Sequence, residues 1–288
     1  MKRTFLRLFA GIMLVMTTQA YAMDNAQIIR LWNFADPAAS EQRFREQLRV
    51  STGNDALELQ TQIARTYSLR GMFTEAHALL DTLKSALPTA SAEANVRYLL
   101  ERGRTFRSAK EPGRARPLFE EAVARAREAG LEFLAVDAQH MVALVAPYAT
   151  EQLSLNQQAL QWAEQAKDPT ARRWIGPLWN NIGVSYRQAG QLAEALDAFR
   201  RAVAGYELRQ VPADVRFARW QVAHTLRLLD QHEEALALQL RLEQEGAAAG
   251  EPDPYVFEEL AALYTALGQS ERAEHYARLQ RSAQAPKP

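Results

Sequence analysis

Between Trp179 and Ala202 the apolar positions fall on two helical faces separated by a glycine. Trp179, Ile182, Gly183 and Tyr186 recur three and four residues apart, with Asn180, Asn181, Ser185 and Arg187 between them. After Gly190 the same period returns in Leu192, Ala195, Leu196, Phe199 and Ala202. This period predicts two amphipathic helices, and Gly190 supplies the positive φ that ends the first. Gly183 and Ala195 are small, so the two helices are expected to cross closely there, with Tyr186 and Phe199 filling the space beside the crossing.

The pattern recurs along the sequence. A small residue on a predicted first helix (Ala64, Gly103, Ala138, Gly183, Ala223, Ala261) is followed three residues on by a large one: Tyr67, Phe106, Met141, Tyr186, Leu226 and Tyr264. Residues three apart share a helix face. Twelve residues after the small position stands Ala76, Ala115, Ala195, Ala235 or Ala273, and only Ala138 finds its partner later, at Ala159. Gly71, Gly190 and Gly268 fall between the paired helices, with Lys110 and Asp230 in that place in the second and fifth pairs. Asp168–Pro177, Val211–Asp214 and Gly246–Pro254 carry linker residues between pairs. In the third pair Pro147 interrupts the pattern. Thr150 or Ser154 is the expected N-cap of the second helix there, and 146–151 reads as a long turn or a binding loop.

This register resembles the tetratricopeptide repeat, a helix–turn–helix unit with a large-small-large signature. The resemblance covers about Ala56 to Arg281. The second-helix alanines recur every 36 to 44 residues, against about 34 in the ordinary repeat. The resemblance implies an all-α, right-handed superhelical solenoid. The expected organisation is a leader over 1–22, an N-terminal helical cap over 23–52 and six units over 53–282. The units are placed at 57–90, 96–129, 131–167, 176–209, 216–249 and 254–282, with a disordered tail over 283–288. Two short helices are expected in the cap, the second with Asp36 as N-cap and Pro37 in its first turn; Leu31, Trp32, Phe34, Phe44 and Leu48 cover the open face of the first repeat.

The N-terminus predicts export. Lys2, Arg3 and Arg7 precede the apolar run Leu8–Met16, and Ala20-Tyr21-Ala22 forms a cleavage signal. The run is shorter than the ~20 residues a bilayer requires. The expected location is the periplasm after a cut behind Ala22, or the cytoplasm if translation starts at Met23. No integral membrane segment is expected after the leader. Formal charge is zero over the whole sequence. The leader holds basic residues only, so the rest is slightly acidic, which argues against non-specific nucleic-acid binding. Cysteine is absent, excluding disulfides and thiolate chemistry.

No catalytic constellation is visible. His77, His140, His224, His232 and His275 make no metal-binding spacing, and there is no phosphate loop or nucleophile elbow. Neither an enzyme nor a cofactor is expected. The resemblance implies that first helices line a concave groove that binds a peptide or another protein. Its groove positions fall on Arg104, Arg107, Gln139, Asn180, Asn181, Arg187, Trp220, His224 and Arg227. Phe217 and Gln221 stand where a chaperone-tail clamp needs basic residues, so such a clamp is not expected. The arginine-rich middle set predicts an extended acidic peptide or a polypeptide C-terminus as partner. Pairing of these arginines with glutamates on neighbouring helices, with Trp220 in the core, is the competing structural outcome. A ligand-responsive sensor is the alternative function.

Overall fold

The structure, a computed structural model, describes residues 23–284. The leader and residues 285–288 lie outside the described residues. Among the described residues the regular structure is helical, with no strand. The cap comprises α1 (Asn25–Leu31) and α2 (Pro37–Leu48). Asp36 caps α2 by accepting the Ala39 N–H at 2.9 Å, and Pro37 occupies its first turn. Six helical hairpins come next: α3 (Gly53–Leu69) with α4 (Phe73–Leu83), α5 (Ala92–Ser108) with α6 (Pro112–Glu128), and α7 (Glu132–Val145) with α8 (Ala149–Gln165). After the single turn α9 (Pro169–Arg172) come α10 (Ile175–Gln188) with α11 (Leu192–Glu207), α12 (Pro212–Leu228) with α13 (His232–Ala248), and α14 (Pro254–Ala266) with α15 (Ser270–Gln284). The first residues assigned to the tail therefore continue α15. The result is an all-α repeat solenoid.

Five hairpin turns are built alike. Gly71, Lys110, Gly190, Asp230 and Gly268 all have positive φ, between 59° and 76°. The next residue's N–H donates to the carbonyl of the large first-helix residue five positions back, at 2.8–3.0 Å, from Met72 to Tyr67 through Gln269 to Tyr264. These are left-handed C-caps that satisfy carbonyls otherwise orphaned at the helix end. The third hairpin differs. Its first helix runs into Ala146 and Pro147, and α8 starts at Ala149 without a side-chain cap. Thr150 and Ser154 are thus inside the helix, and the loop shrinks to 146–148.

The core lies between paired helices. Leu80, Phe119 and Phe199, each sixteen residues after a small position, are completely buried. Each such side chain taken from water contributes about 1.5–3 kcal/mol. A Cβ at Gly183 would stand 2.7 Å from the Phe199 ring, so the space vacated by Gly183 is taken by Phe199 rather than by Ala195. The nearest backbone approach among the glycines of this hairpin is at its open end, between Gly176 and Gly205.

The fifth hairpin carries an exception. Its residue at the Phe119/Phe199 register is Gln239, fully buried, with neither amide atom bonded. An unmade buried hydrogen bond costs about 1–3 kcal/mol. Gln239→Leu is therefore expected to stabilise the protein by a similar amount, about 1–3 kcal/mol, read as a rise in urea midpoint at unchanged m-value. A lower midpoint would show that the amide has a partner in solution.

Candidate binding face

The first helices of the hairpins share one face, and a polar ladder runs across it. The residue two before each small position is Gln62, Glu101, Asn181, Gln221 or Glu259, with Val136 in the third unit. All five polar members are buried or half-buried. Each finds a partner on a neighbouring first helix or the cap. Gln62 donates to Glu101 at 3.3 Å and accepts the Trp32 indole N–H at 3.0 Å. The Asn181 amide lies 3.2 Å from His140 Nδ1, and Gln221 donates to Asn180 at 3.3 Å. Glu259 accepts both Arg227 nitrogens, at 2.7 and 3.0 Å, and lies 2.8 Å from His224 Nδ1.

The residues expected in the groove thus divide into groups. Arg104 is buried and bonded to Glu101 at 2.6 Å and to Asp137 on the next first helix. Asn180, Gln221 and Arg187 form one relay of hydrogen bonds, with Arg187 donating to Gln221 at 2.8 Å. Trp220, His224 and Arg227 gather around Glu259; Trp220 stacks on His224 with ring centroids 5.0 Å apart and donates to the Tyr255 carbonyl at 3.2 Å. Gln139 turns away toward α8, donating to Gln158 at 2.7 Å. Arg107 is exposed and joins none of these groups. The four arginines do not make a uniform basic stripe. Arg104 and Arg227 are matched by carboxylates, whereas Arg107 and Arg187 have none within 4 Å among the described residues.

Burial works to raise the Glu259 carboxyl, and the bonds from His224 and Arg227 more than offset it, holding it at about 2 against an ordinary 4.5. A depressed acid contributes stability that is present above its unfolded value and lost as pH falls through its folded one. Stability should therefore decline between about pH 4.5 and pH 2. Glu259→Gln should flatten that limb of a melting-temperature profile; an unchanged acid limb would assign it to other carboxylates.

The cap adds residues that the repeat register did not single out. A cavity of about 190 Å³ is bordered by Trp32 and Phe34 of the cap, Arg65 of α3, Asp137 of α7, and Arg173 and Trp174 at the start of the fourth hairpin. Cap and fourth hairpin thus border one space, which shows the first-helix face turning inward. Arg65 lies over the Trp32 and Phe34 rings at 5.1 and 5.2 Å. Among the described residues no group of three or more histidines and carboxylates is placed to hold a metal. No helix among them is long and apolar enough to cross a membrane.

The tetratricopeptide repeat family profile matches residues 176–204, which is the α10–α11 hairpin. The α10–α11 hairpin is a tetratricopeptide repeat, and the other hairpins stack with it in an all-α repeat solenoid. A signal-transduction ATPase with a tetratricopeptide repeat sensor from Pyrococcus horikoshii superposes with TM-score 0.69 at 12% identity, over 90% of this protein and 40% of that one. A Rap protein complexed with competence and sporulation factor gives TM-score 0.56 at 14% identity, over 84% and 78%. PilF of Pseudomonas aeruginosa gives 0.55 at 18% identity, over 80% and 93%. At these identities the likeness is one of fold. No protein of curated function matches the sequence. The second and fifth hairpins are long because both of their helices have 17 residues.

Proposed function

We propose that this solenoid is a non-enzymatic interaction module of the cell envelope that holds an extended acidic segment of a partner protein on its first-helix face. The polar ladder carries the reading. Neighbouring helices pack about 8–10 Å apart, and an extended strand advances about 3.3 Å per residue. One first helix therefore meets about every third residue of a bound strand. Arg107 and Arg187, each four residues after its small position, supply cations with no carboxylate within 4 Å among the described residues. Guanidinium–carboxylate pairs favour an acidic segment there. The Rap protein solved with its factor supports binding by a solenoid of this kind. The envelope setting rests on the N-terminal pattern, and one contact supports a cut after Ala22. The Met23 backbone nitrogen stands 3.0 Å from Asp55 Oδ1, so cleavage would set a new ammonium against a carboxylate.

The test is affinity capture from the envelope fraction with wild type, Arg107→Glu/Arg187→Glu and Arg200→Glu. Arg200 is an exposed second-helix residue paired with Glu234 at 3.3 Å. The captured wild type should begin at Met23 by intact mass. The groove double variant should keep its circular dichroism and lose the partner at least about tenfold, and added salt should weaken wild-type binding. Partner loss only in Arg200→Glu would move the site to the outer face, and a cytosolic protein retaining Met1 would remove the envelope setting.

A further inference from the structure

We propose that the cavity beneath the N-terminal cap binds a small carboxylate carrying an apolar body the size of one aromatic ring. This site goes beyond the groove reading and shares neither Arg107 nor Arg187. Size comes from the volume, about 190 Å³; an apolar cavity of roughly 150 Å³ is enough to hold benzene. The apolar body is set by the walls. Trp32, Phe34, Phe133 and Trp174 present rings, and Leu100 and Leu134 present aliphatic surface. Trp32 and Phe34 are stacked at 4.6 Å, and Phe34 is 60% exposed, so a large ring is left open to solvent beside a partly open cavity. Flat rings of this kind recognise another ring by offset or edge contact.

The carboxylate is set by unequal charge matching on the same walls. Asp137 and Glu101 are already held by Arg104. Arg97 is held by Glu58 at 3.0 Å and Glu93 at 2.9 Å, and Arg209 by Asp214 at 3.2 Å. Arg65 and Arg173 are left over. Arg65 has one carboxylate within 4 Å among the described residues, Glu101 at 3.8 Å, and its Nε is buried without a bond. Burial and Arg104 lower its guanidinium to about 10, more than Glu101 and Asp137, both shared with Arg104, offset. Arg173 has no carboxylate within 4 Å among the described residues. An incoming carboxylate supplies the missing charge to either guanidinium while its apolar body fills the aromatic space. The cap is fixed as a wall by bonds to the first two hairpins, among them Met23 N to Asp55 at 3.0 Å, Trp32 Nε1 to Gln62 at 3.0 Å and Arg97 to Asn25.

The carboxylate belongs to a free small acid or to the last residue of a polypeptide, and the experiment separates the two. The purified full-length protein is titrated with phenylacetate, with benzylamine, and with short peptides ending in phenylalanine as the free acid or the amide. Trp32 and Trp174 line the cavity, so tryptophan fluorescence and melting temperature report occupancy. Phenylacetate is expected to bind, benzylamine to be silent, and Arg65→Gln and Arg173→Gln each to weaken the acid about tenfold or more. Arg173 is half-buried at the C-terminal end of the single turn α9 and makes no side-chain hydrogen bond or ion pair among the described residues, so its variant should keep the fold even if Arg65→Gln does not. Binding by the free-acid peptide alone, lost in the same variants, supports the site with a polypeptide terminus as its source. No response to either acid, equal binding of benzylamine, or unchanged affinity in both variants would overturn the proposal. Arg107→Glu/Arg187→Glu should leave these titrations unaltered, so failure of the groove reading and failure of this one are told apart.

Discussion

Asp137→Ala should cost the protein about 3 kcal/mol, the lower end of the ~3–5 kcal/mol typical of breaking a buried ion pair. Asp137 is 4% exposed and joins α7 to α5 through Arg104. Burial works to raise its carboxyl, and the Arg104 and Arg65 guanidiniums outweigh that and hold it below the usual carboxylate range. Truncation leaves a buried guanidinium with one partner instead of two, because Glu101 remains at 2.6 Å. That residual bond sets the expectation at the lower end. Replacing the pair by apolar side chains of similar volume is a different experiment: Asp137→Leu with Arg104→Met removes both charges and leaves Glu101 to Arg65 at 3.8 Å, and such exchanges are often neutral or stabilising. Chemical denaturation of both variants checks the pair. A loss below about 1 kcal/mol for Asp137→Ala would mean that these charges behave as if solvated.

Gly205→Leu should be at least as damaging, at or above the top of the ~1–3 kcal/mol range for overpacking. A Cβ at Gly205 would stand 2.5 Å from the Gly176 nitrogen and 2.6 Å from its Cα. A Cβ at Gly176 would in turn meet the Tyr206 nitrogen at 2.7 Å. The obstacle is backbone on both sides, so no rotamer change relieves it, and α10 and α11 must separate. Gly183→Ala meets a buried ring instead, Phe199 at 2.7 Å, and a ring can tilt where a backbone cannot. The expected order of melting temperatures is wild type, Gly183→Ala, Gly205→Leu. Gly113 is the control: it lies in the first turn of α6 with nothing within 4 Å of an added Cβ. Gly113→Ala should therefore be neutral or gain about 0.5–1 kcal/mol from helix propensity and the lower entropy of the unfolded state. Gly205→Leu melting with the wild type would mean that the two helix backbones do not touch there.

The contacts that sequence made legible are those fixed within one hairpin. The small residue, the large residue three later and the αL residue before the second helix all act inside about thirty residues, and their spacing is dictated by the helix period and the C-cap. Gly71, Lys110, Gly190, Asp230 and Gly268 could be placed for that reason, even where lysine or aspartate replaces glycine. Gly176 with Gly205 escaped because its spacing depends on hairpin length rather than on the shared register. In the third hairpin Pro147 and the delayed Ala159 were legible, but the loop and the N-cap were not, because Pro147 ends the first helix without an αL residue and α8 starts at Ala149 without a side-chain cap.

Charge pairing was hidden for a different reason. Arg104 with Asp137, Arg97 with Glu58 and Arg227 with Glu259 all join successive first helices, and their match is set by how one unit stacks on the next. The four arginines alone suggested a basic stripe; their partners convert half of it into structure. A usable signal existed two residues before each small position, where Gln62, Glu101, Asn181, Gln221 and Glu259 recur on a helix face that would otherwise be apolar. Trp32 and Phe34 carried no repeat signal, because the cap lies outside the repeating pattern, whereas Arg65 follows Ala64 in the register of Arg104, Gln139 and His224 and only its contact with the cap was hidden.

Hydrogen exchange on the captured complex tests the central claim most directly. Amides of the first helices α5, α7, α10 and α12 should gain protection when the partner is bound, while those of the second helices α6, α8, α11 and α13 exchange as in the free protein. Protection confined to those second helices, with the first helices unchanged, would contradict binding on the first-helix face.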